Sequence, residues 1–140
     1  MLICRQSDWI EVHRLDNRGR GGRGVCASRD IPAGTLIERA PVILIPKEQV
    51  FGDSPLAKHA ARISWYVFAW EGLTARNYVA LGLGYASIYN HSYQPNARYT
   101  PVAPDVLEFH AIADIPAGEE ITINYHGEPT DARPVDFDVH

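Results

Sequence analysis

Apolar and polar positions along this chain break into short β-like runs separated by Gly and Pro. Residues 24–28 (GVCAS), 34–46 (GTLIERAPVILIP), 106–116 (VLEFHAIADIP) and 119–125 (EEITINY) are rich in β-branched residues and bounded by turn formers, which predicts short strands. Residues 55–72 (PLAKHAARISWYVFAWEG) differ. Leu56, Ala60, Ile63, Tyr66, Val67 and Trp70 recur near helical spacing, predicting a helix that ends at Gly72. The expected fold is therefore mainly β, with short sheets and one or two short helices.

Punctuation refines this picture. The pentapeptide Asp-Ile-Pro-Ala-Gly occurs at residues 30–34 and again at 114–118, each time ahead of a strand-like stretch. Proline fixes φ and glycine opens the positive-φ region, so each copy reads as a turn that launches a strand. Two copies do not make a repeat period; similar turns in one β domain and an internal duplication both account for them. The end of the chain, residues 128–140, is polar and unpatterned, a mobile end or a flap.

Size and composition narrow the class. With 140 residues, 46% hydrophobic and 21% charged, the chain is long enough for a single well-packed domain without disulfide or metal staples. Cys4 and Cys26 are its two cysteines, with no CxxC or Cys/His spacing, so no metal site is indicated and a cytoplasmic setting is expected. No signal-peptide pattern or membrane-length apolar run is present in this sequence, so no membrane association is expected. The formal net charge of −4 is unevenly spread: residues 101–140 hold nine Asp or Glu against Arg133 alone. Such a field disfavours nucleic acid and favours a basic partner; it is equally the signature of an ordinary solvated face.

Three stretches could carry chemistry. In residues 18–28 (RGRGGRGVCAS), glycines allow close backbone approach to a ligand and Arg23 could meet an anion, although a plain hairpin loop has the same composition. No P-loop or dinucleotide fingerprint is present there. Residues 89–97 (YNHSYQPNA) gather amide, imidazole and hydroxyl groups directly after an apolar run, which makes either an internal polar network or a binding site. Residues 119–127 end a strand pattern with Tyr125, and a tyrosine there is packing as readily as chemistry.

In this order and spacing, the three stretches resemble the SET-domain family of protein lysine methyltransferases. The family's Gly-x-Gly motif matches Gly22-Arg23-Gly24, its Asn-His-Ser…Pro-Asn motif matches Asn90-His91-Ser92 and Pro95-Asn96, and its Gly-Glu-Glu-Leu/Ile-Thr-x-x-Tyr motif matches residues 118–125. The resemblance runs over about residues 9–127, which makes residues 1–8 a lead-in and 128–140 an acidic tail; the minimal viral type of SET protein, without zinc-binding flanks, is the nearest look-alike. It implies a β-clip fold with a C-terminal pseudoknot and S-adenosylmethionine as cofactor. It further implies cofactor binding by Gly22, Arg23, Gly24, Asn90 and His91, and catalysis by Tyr125 with Tyr66. Tyr66, Tyr89, Tyr99 and Ile123 are the implied substrate channel.

The implied substrate is a lysine in a basic, histone-like protein, with a homodimer by analogy and a cytoplasmic location, or export to a host cell for an effector. Departures are Ile123 where an aromatic residue is common, Arg23 in place of the usual aromatic middle residue, and no cysteine-rich segment after the domain, which leaves Phe137 in the tail as a candidate cover. The competing expectations are a non-enzymatic β-clip binding module and a catalytically degenerate SET interaction domain.

Overall fold

The computed structural model describes residues 7–15, 22–51, 55, 63–70 and 77–135. Its strands are β1 (Ile10–Arg14), β2 (Arg23–Ala27), β3 (Leu36–Pro46), β4 (Val67–Ala69), β5 (Tyr78–Gly82), β6 (Asn90–His91), β7 (Ala97–Val102), β8 (Val106–Ala111) and β9 (Glu120–Ile123). They form a four-stranded sheet in the order β1-β2-β9-β6 and a five-stranded sheet in the order β4-β5-β3-β8-β7. Helical among the described residues are Pro55 and two single 3-10 turns, Lys47–Gln49 and Ile63–Trp65.

The four strand stretches legible in the sequence become β2, β3, β8 and β9; the last three are shorter than the stretches, and β2 begins one residue earlier, at Arg23. The predicted helix holds at Pro55, which is helical, but not over residues 63–70. Residues 56–62 and Gly72 lie outside the described part, but after the 3-10 turn the chain extends into β4, and Val67, Phe68 and Ala69 pair with Leu81, Ala80 and Val79 of β5. Val67 and Phe68 are good strand formers, and a neighbouring strand that pairs with their backbone outweighs a 3.6-residue pattern shared by only a few positions.

The two Asp-Ile-Pro-Ala-Gly turns lie against each other. Ile31 and Ile115 exchange both backbone hydrogen bonds at 2.8 Å. The Asp114 carboxylate accepts from the Ala33 amide and the Asp30 carboxylate from the Ala117 amide, each at 2.8 Å. Each pentapeptide thus caps the other with local two-fold symmetry, and Gly34 and Gly118 take φ of 88° and 84° in the turns, a region that costs other residues strain. The first turn leads into β3, whose Ile37, Ala40 and Val42 enter the core beside Leu107 and Phe109 of β8. The second leads into β9, with Ile121 and Ile123 fully buried.

Strand β9 is central to the smaller sheet. On one side Val25 and Cys26 of β2 pair with it antiparallel; on the other, Asn90 and His91 of β6 pair with Thr122 and Ile123 in parallel. The short β6 is extended by a side chain: Asn96 donates to the Glu120 carbonyl and accepts from the Thr122 amide, both at 2.9 Å. An asparagine carboxamide has the donor and acceptor of a peptide group, which lets it stand in for a strand neighbour.

Candidate functional site

Residues 89–96 and 120–125 meet at the β6–β9 pair. The Ser92 amide donates to the Ile123 carbonyl at 2.9 Å, and the Tyr125 amide donates to His91 Nδ1 at 3.0 Å. An accepting Nδ1 requires the neutral imidazole with its proton on Nε2. His91 is buried, and its ring lies edge-on to those of Tyr93 and Tyr125, at 4.5 and 5.2 Å between centroids. Its side chain fixes the backbone of the tyrosine that follows β9.

The Tyr125 hydroxyl donates to the backbone carbonyl of Tyr89, and the Tyr125 carbonyl accepts from the Tyr99 hydroxyl at 3.0 Å. Burial pushes the Tyr99 phenol up to about 12, which keeps it a donor. Both the ring and the backbone of Tyr125 are thereby held. Tyr125, Tyr89 and Tyr66 line a cavity of about 430 Å³, together with Trp65, Val67, Phe68, His126 and Val135. Tyr99 and Ile123 do not line it: Tyr99 acts from behind through its hydroxyl, and Ile123 is packed in the core.

Arg23, Gly24 and Asn90 come together on the other side of β6. Asn90 Nδ2 donates to the Arg23 carbonyl at 2.9 Å and to Glu120 Oε2 at 2.6 Å. The Arg23 side chain is exposed, so its backbone and not its guanidinium makes this contact. A Cβ on Gly24 would fall 2.5 Å from Glu120 Oε2, 2.6 Å from Leu15 Cδ1 and 3.0 Å from Asn90 Nδ2. Only glycine lets these groups converge. The amino-acid end of S-adenosylmethionine carries an ammonium and a carboxylate; a backbone carbonyl, the carboxamide oxygen and the Glu120 carboxylate fit the former.

Residues 128–135, the first part of the expected tail, fold back beside the cavity. Asn124, itself buried, donates to the Asp131 carbonyl at 2.7 Å, and the His126 ring contacts the Arg133 carbonyl at 2.9 Å. The Tyr93 hydroxyl accepts from the Val135 amide at 3.2 Å. Phe137, the candidate cover for the cofactor, lies outside the described residues, as do 16–21 of the glycine–arginine loop.

Sequence reasoning missed Glu120, Asn124 and Glu38. Glu120 stood in view within the Gly-Glu-Glu motif, its side chain unassigned. Glu38, beside Arg39 in an otherwise apolar stretch, and Asn124, between Ile123 and Tyr125, carried no further signal.

Comparison with known proteins agrees with this geometry. The family model described as SET domain matches residues 22–126. A Schizosaccharomyces pombe protein named histone-lysine N-methyltransferase, H3 lysine-37 specific, is 31% identical over 107 residues, covering 76% of this chain and 67% of the relative. A crystal structure of a Plasmodium falciparum protein, provisionally described as a histone methyltransferase, superposes with a TM-score of 0.60 at 27% identity, over 86% of this chain and 94% of the other. With the family model spanning most of its length and its three motifs brought together on the neighbouring strands β2, β9 and β6, the chain belongs to the SET-domain family of protein lysine methyltransferases.

Proposed function

We propose that this protein-lysine methyltransferase takes its methyl group from S-adenosylmethionine and delivers it to a lysine of a basic, histone-like protein. The observation that carries this reading is the junction at residues 89 and 90. The Tyr89 carbonyl holds the hydroxyl of Tyr125 at the cavity wall, while the next side chain, Asn90, joins Arg23 beside Gly24. Two binding regions are therefore one peptide unit apart.

When bound, S-adenosylmethionine supplies an electrophilic methyl on a positively charged sulfur. Asn90, Glu120 and the backbone at Arg23 and Gly24 would hold its amino-acid end. The residues around the cavity have the harder task, because a lysine with a reference pKa near 10.4 is neutral in only about one molecule per thousand at pH 7.4. Aromatic walls such as Tyr66 and Trp65 withdraw the amine from water and disfavour its charged form. Tyr125 donates its O–H hydrogen bond to a backbone carbonyl, so its oxygen offers acceptor character to an incoming N–H and orients the amine without acting as a base. The nine acidic residues of 101–140 favour a Lys-rich segment as the substrate.

Titration calorimetry with S-adenosylmethionine and methyl transfer to Lys-rich peptides, with Arg-substituted peptides as controls, test the reading. Heat of binding and Lys-dependent transfer are expected. No binding at millimolar cofactor, or transfer independent of lysine, overturns it.

A further inference from the structure

A buried carboxylate on β3, outside every motif above, reaches the same junction. Strand β3 carries an irregularity: Leu36 pairs with His110 and Glu38 with Phe109, so two residues of β3 advance against one of β8. A bulge of this kind turns a side chain out of simple alternation. Here Ile37 and Glu38 are both buried, between exposed Leu36 and exposed Arg39. Glu38 is 8% exposed, and burial raises its carboxyl above the ordinary value, opposed by its two hydrogen bonds.

Those two bonds hold one loop at two points. Glu38 Oε2 accepts from the Tyr85 amide and Oε1 from the Tyr89 hydroxyl, each at 2.9 Å. The loop from 83 to 89 joins β5 to β6, and its last residue presents the carbonyl that receives the Tyr125 hydroxyl. The Tyr89 ring is fully buried and stacked on Phe109, 4.5 Å between centroids, which already fixes its plane. What stacking cannot fix is sliding of the ring along Phe109, and with it the position of the carbonyl. A carboxylate fastened to both ends of the loop removes that freedom. An apolar residue would fill the same space without the cost of burying a carboxylate, so this one is explained by what it holds.

We infer that Glu38 is a positioning residue for methyl transfer: through Tyr85 and Tyr89 it sets the place of the carbonyl that aligns the Tyr125 hydroxyl in the cavity. This rests on the role given above to Tyr125, and it predicts a defect in turnover that spares the cofactor side.

The test compares Glu38→Ala with Glu38→Gln, measuring kcat, the Kd for S-adenosylmethionine and the ¹³Cζ resonance of Tyr125, which responds to the hydrogen bond of its hydroxyl. Loss of the strap in Glu38→Ala is expected to lower kcat about tenfold through misorientation, with Kd unchanged and the Tyr125 resonance displaced. Glutamine can accept from the Tyr85 amide and donate to the Tyr89 oxygen, so Glu38→Gln should restore the resonance and keep kcat within about threefold of the unaltered protein. A stationary resonance in Glu38→Ala, or a glutamine variant no better than the alanine one, overturns the inference. An unaltered protein that transfers no methyl instead overturns the functional reading, and the resonance still decides whether Glu38 positions Tyr125. Should Glu38→Ala fail to fold, Tyr89→Phe removes one arm of the strap and keeps the ring on Phe109; unchanged kcat and resonance in that variant overturn the inference equally.

Discussion

On one side of β6, Asn90, Glu120 and Gly24 crowd so closely that a single methyl on Gly24 has no room. On the other, three tyrosines stand around about 430 Å³ of open space. The first region is built from backbone, a carboxamide and a carboxylate, and its precision comes from the lack of a side chain. The second is built from large rings, each fixed by something behind it: Tyr125 by Tyr89 and Tyr99, Tyr89 by Glu38 and Phe109. A small polar group recognised by hydrogen bonds needs close approach, whereas a long alkyl-ammonium chain needs a dry, walled passage. The two regions should therefore fail in different ways.

The largest effect is expected on the open side. Tyr125→Phe removes the hydroxyl and keeps the ring, so kcat should fall about a hundredfold, the scale for loss of one preorganised polar contact, while calorimetry finds cofactor affinity unchanged. Comparable losses in both would mean that the two regions do not divide the work. The converse variant, Gly24→Ala, should weaken cofactor binding by at least about tenfold, roughly 1.4 kcal/mol, because both Glu120 and Leu15 must move. Its kcat at saturating cofactor should change far less than that of Tyr125→Phe.

The same division explains what could be read before any coordinates. Gly22, Gly24, Asn90 and Tyr125 stand out because their residue types and spacing are tied to one arrangement. The strands of 24–28, 34–46, 106–116 and 119–125 were legible because β-branched runs end at Gly and Pro. The groups that hold the site from behind were not. In LIERA, Glu38 and Arg39 read as one solvated charged pair, and the bulge against β8 accompanies the burial of Glu38 alone. Asn124 looks like loop polarity until its carboxamide is seen to hold a backbone carbonyl, and Asn96 was legible as a motif residue but not as a stand-in for a strand neighbour. The helix assigned to 55–72 gives way over residues 63–70 for a related reason: the strand pairing of 67–69 with β5 is a contact with residues further along the chain, which a local period cannot contain.

A smaller effect should come from the support of Tyr125. Tyr99→Phe takes a donor away from the Tyr125 carbonyl and leaves the ring packing against Phe68 in place. Loss of one such bond corresponds to about 1 kcal/mol, a few degrees in Tm, and a modest loss of kcat with cofactor affinity unaltered. A drop in affinity larger than the drop in kcat would move Tyr99 to the other side of the comparison.

The smallest effect belongs to the segment that folds back beside the cavity. Asp131 and Arg133 form a bidentate pair, with contacts of 2.7 to 3.0 Å, on the exposed surface. The hydrogen bonds from the Arg133 side chain and backbone lower the Asp131 carboxyl to about 2. A depressed carboxylate favours the folded state above its unfolded value near 3.9, and that contribution disappears as pH falls through the window towards 2. Solvent screens an exposed pair, so Asp131→Asn should lower Tm only slightly at neutral pH, and the gap from the unaltered protein should close on acidification. Methyl transfer at neutral pH tests the link to the cavity: the Asp131 carbonyl, which Asn124 grips, survives the substitution, so kcat should hold. A loss of kcat in Asp131→Asn beyond about twofold would mean that the side-chain pair, and not the backbone grip of Asn124, keeps Val135 against the cavity.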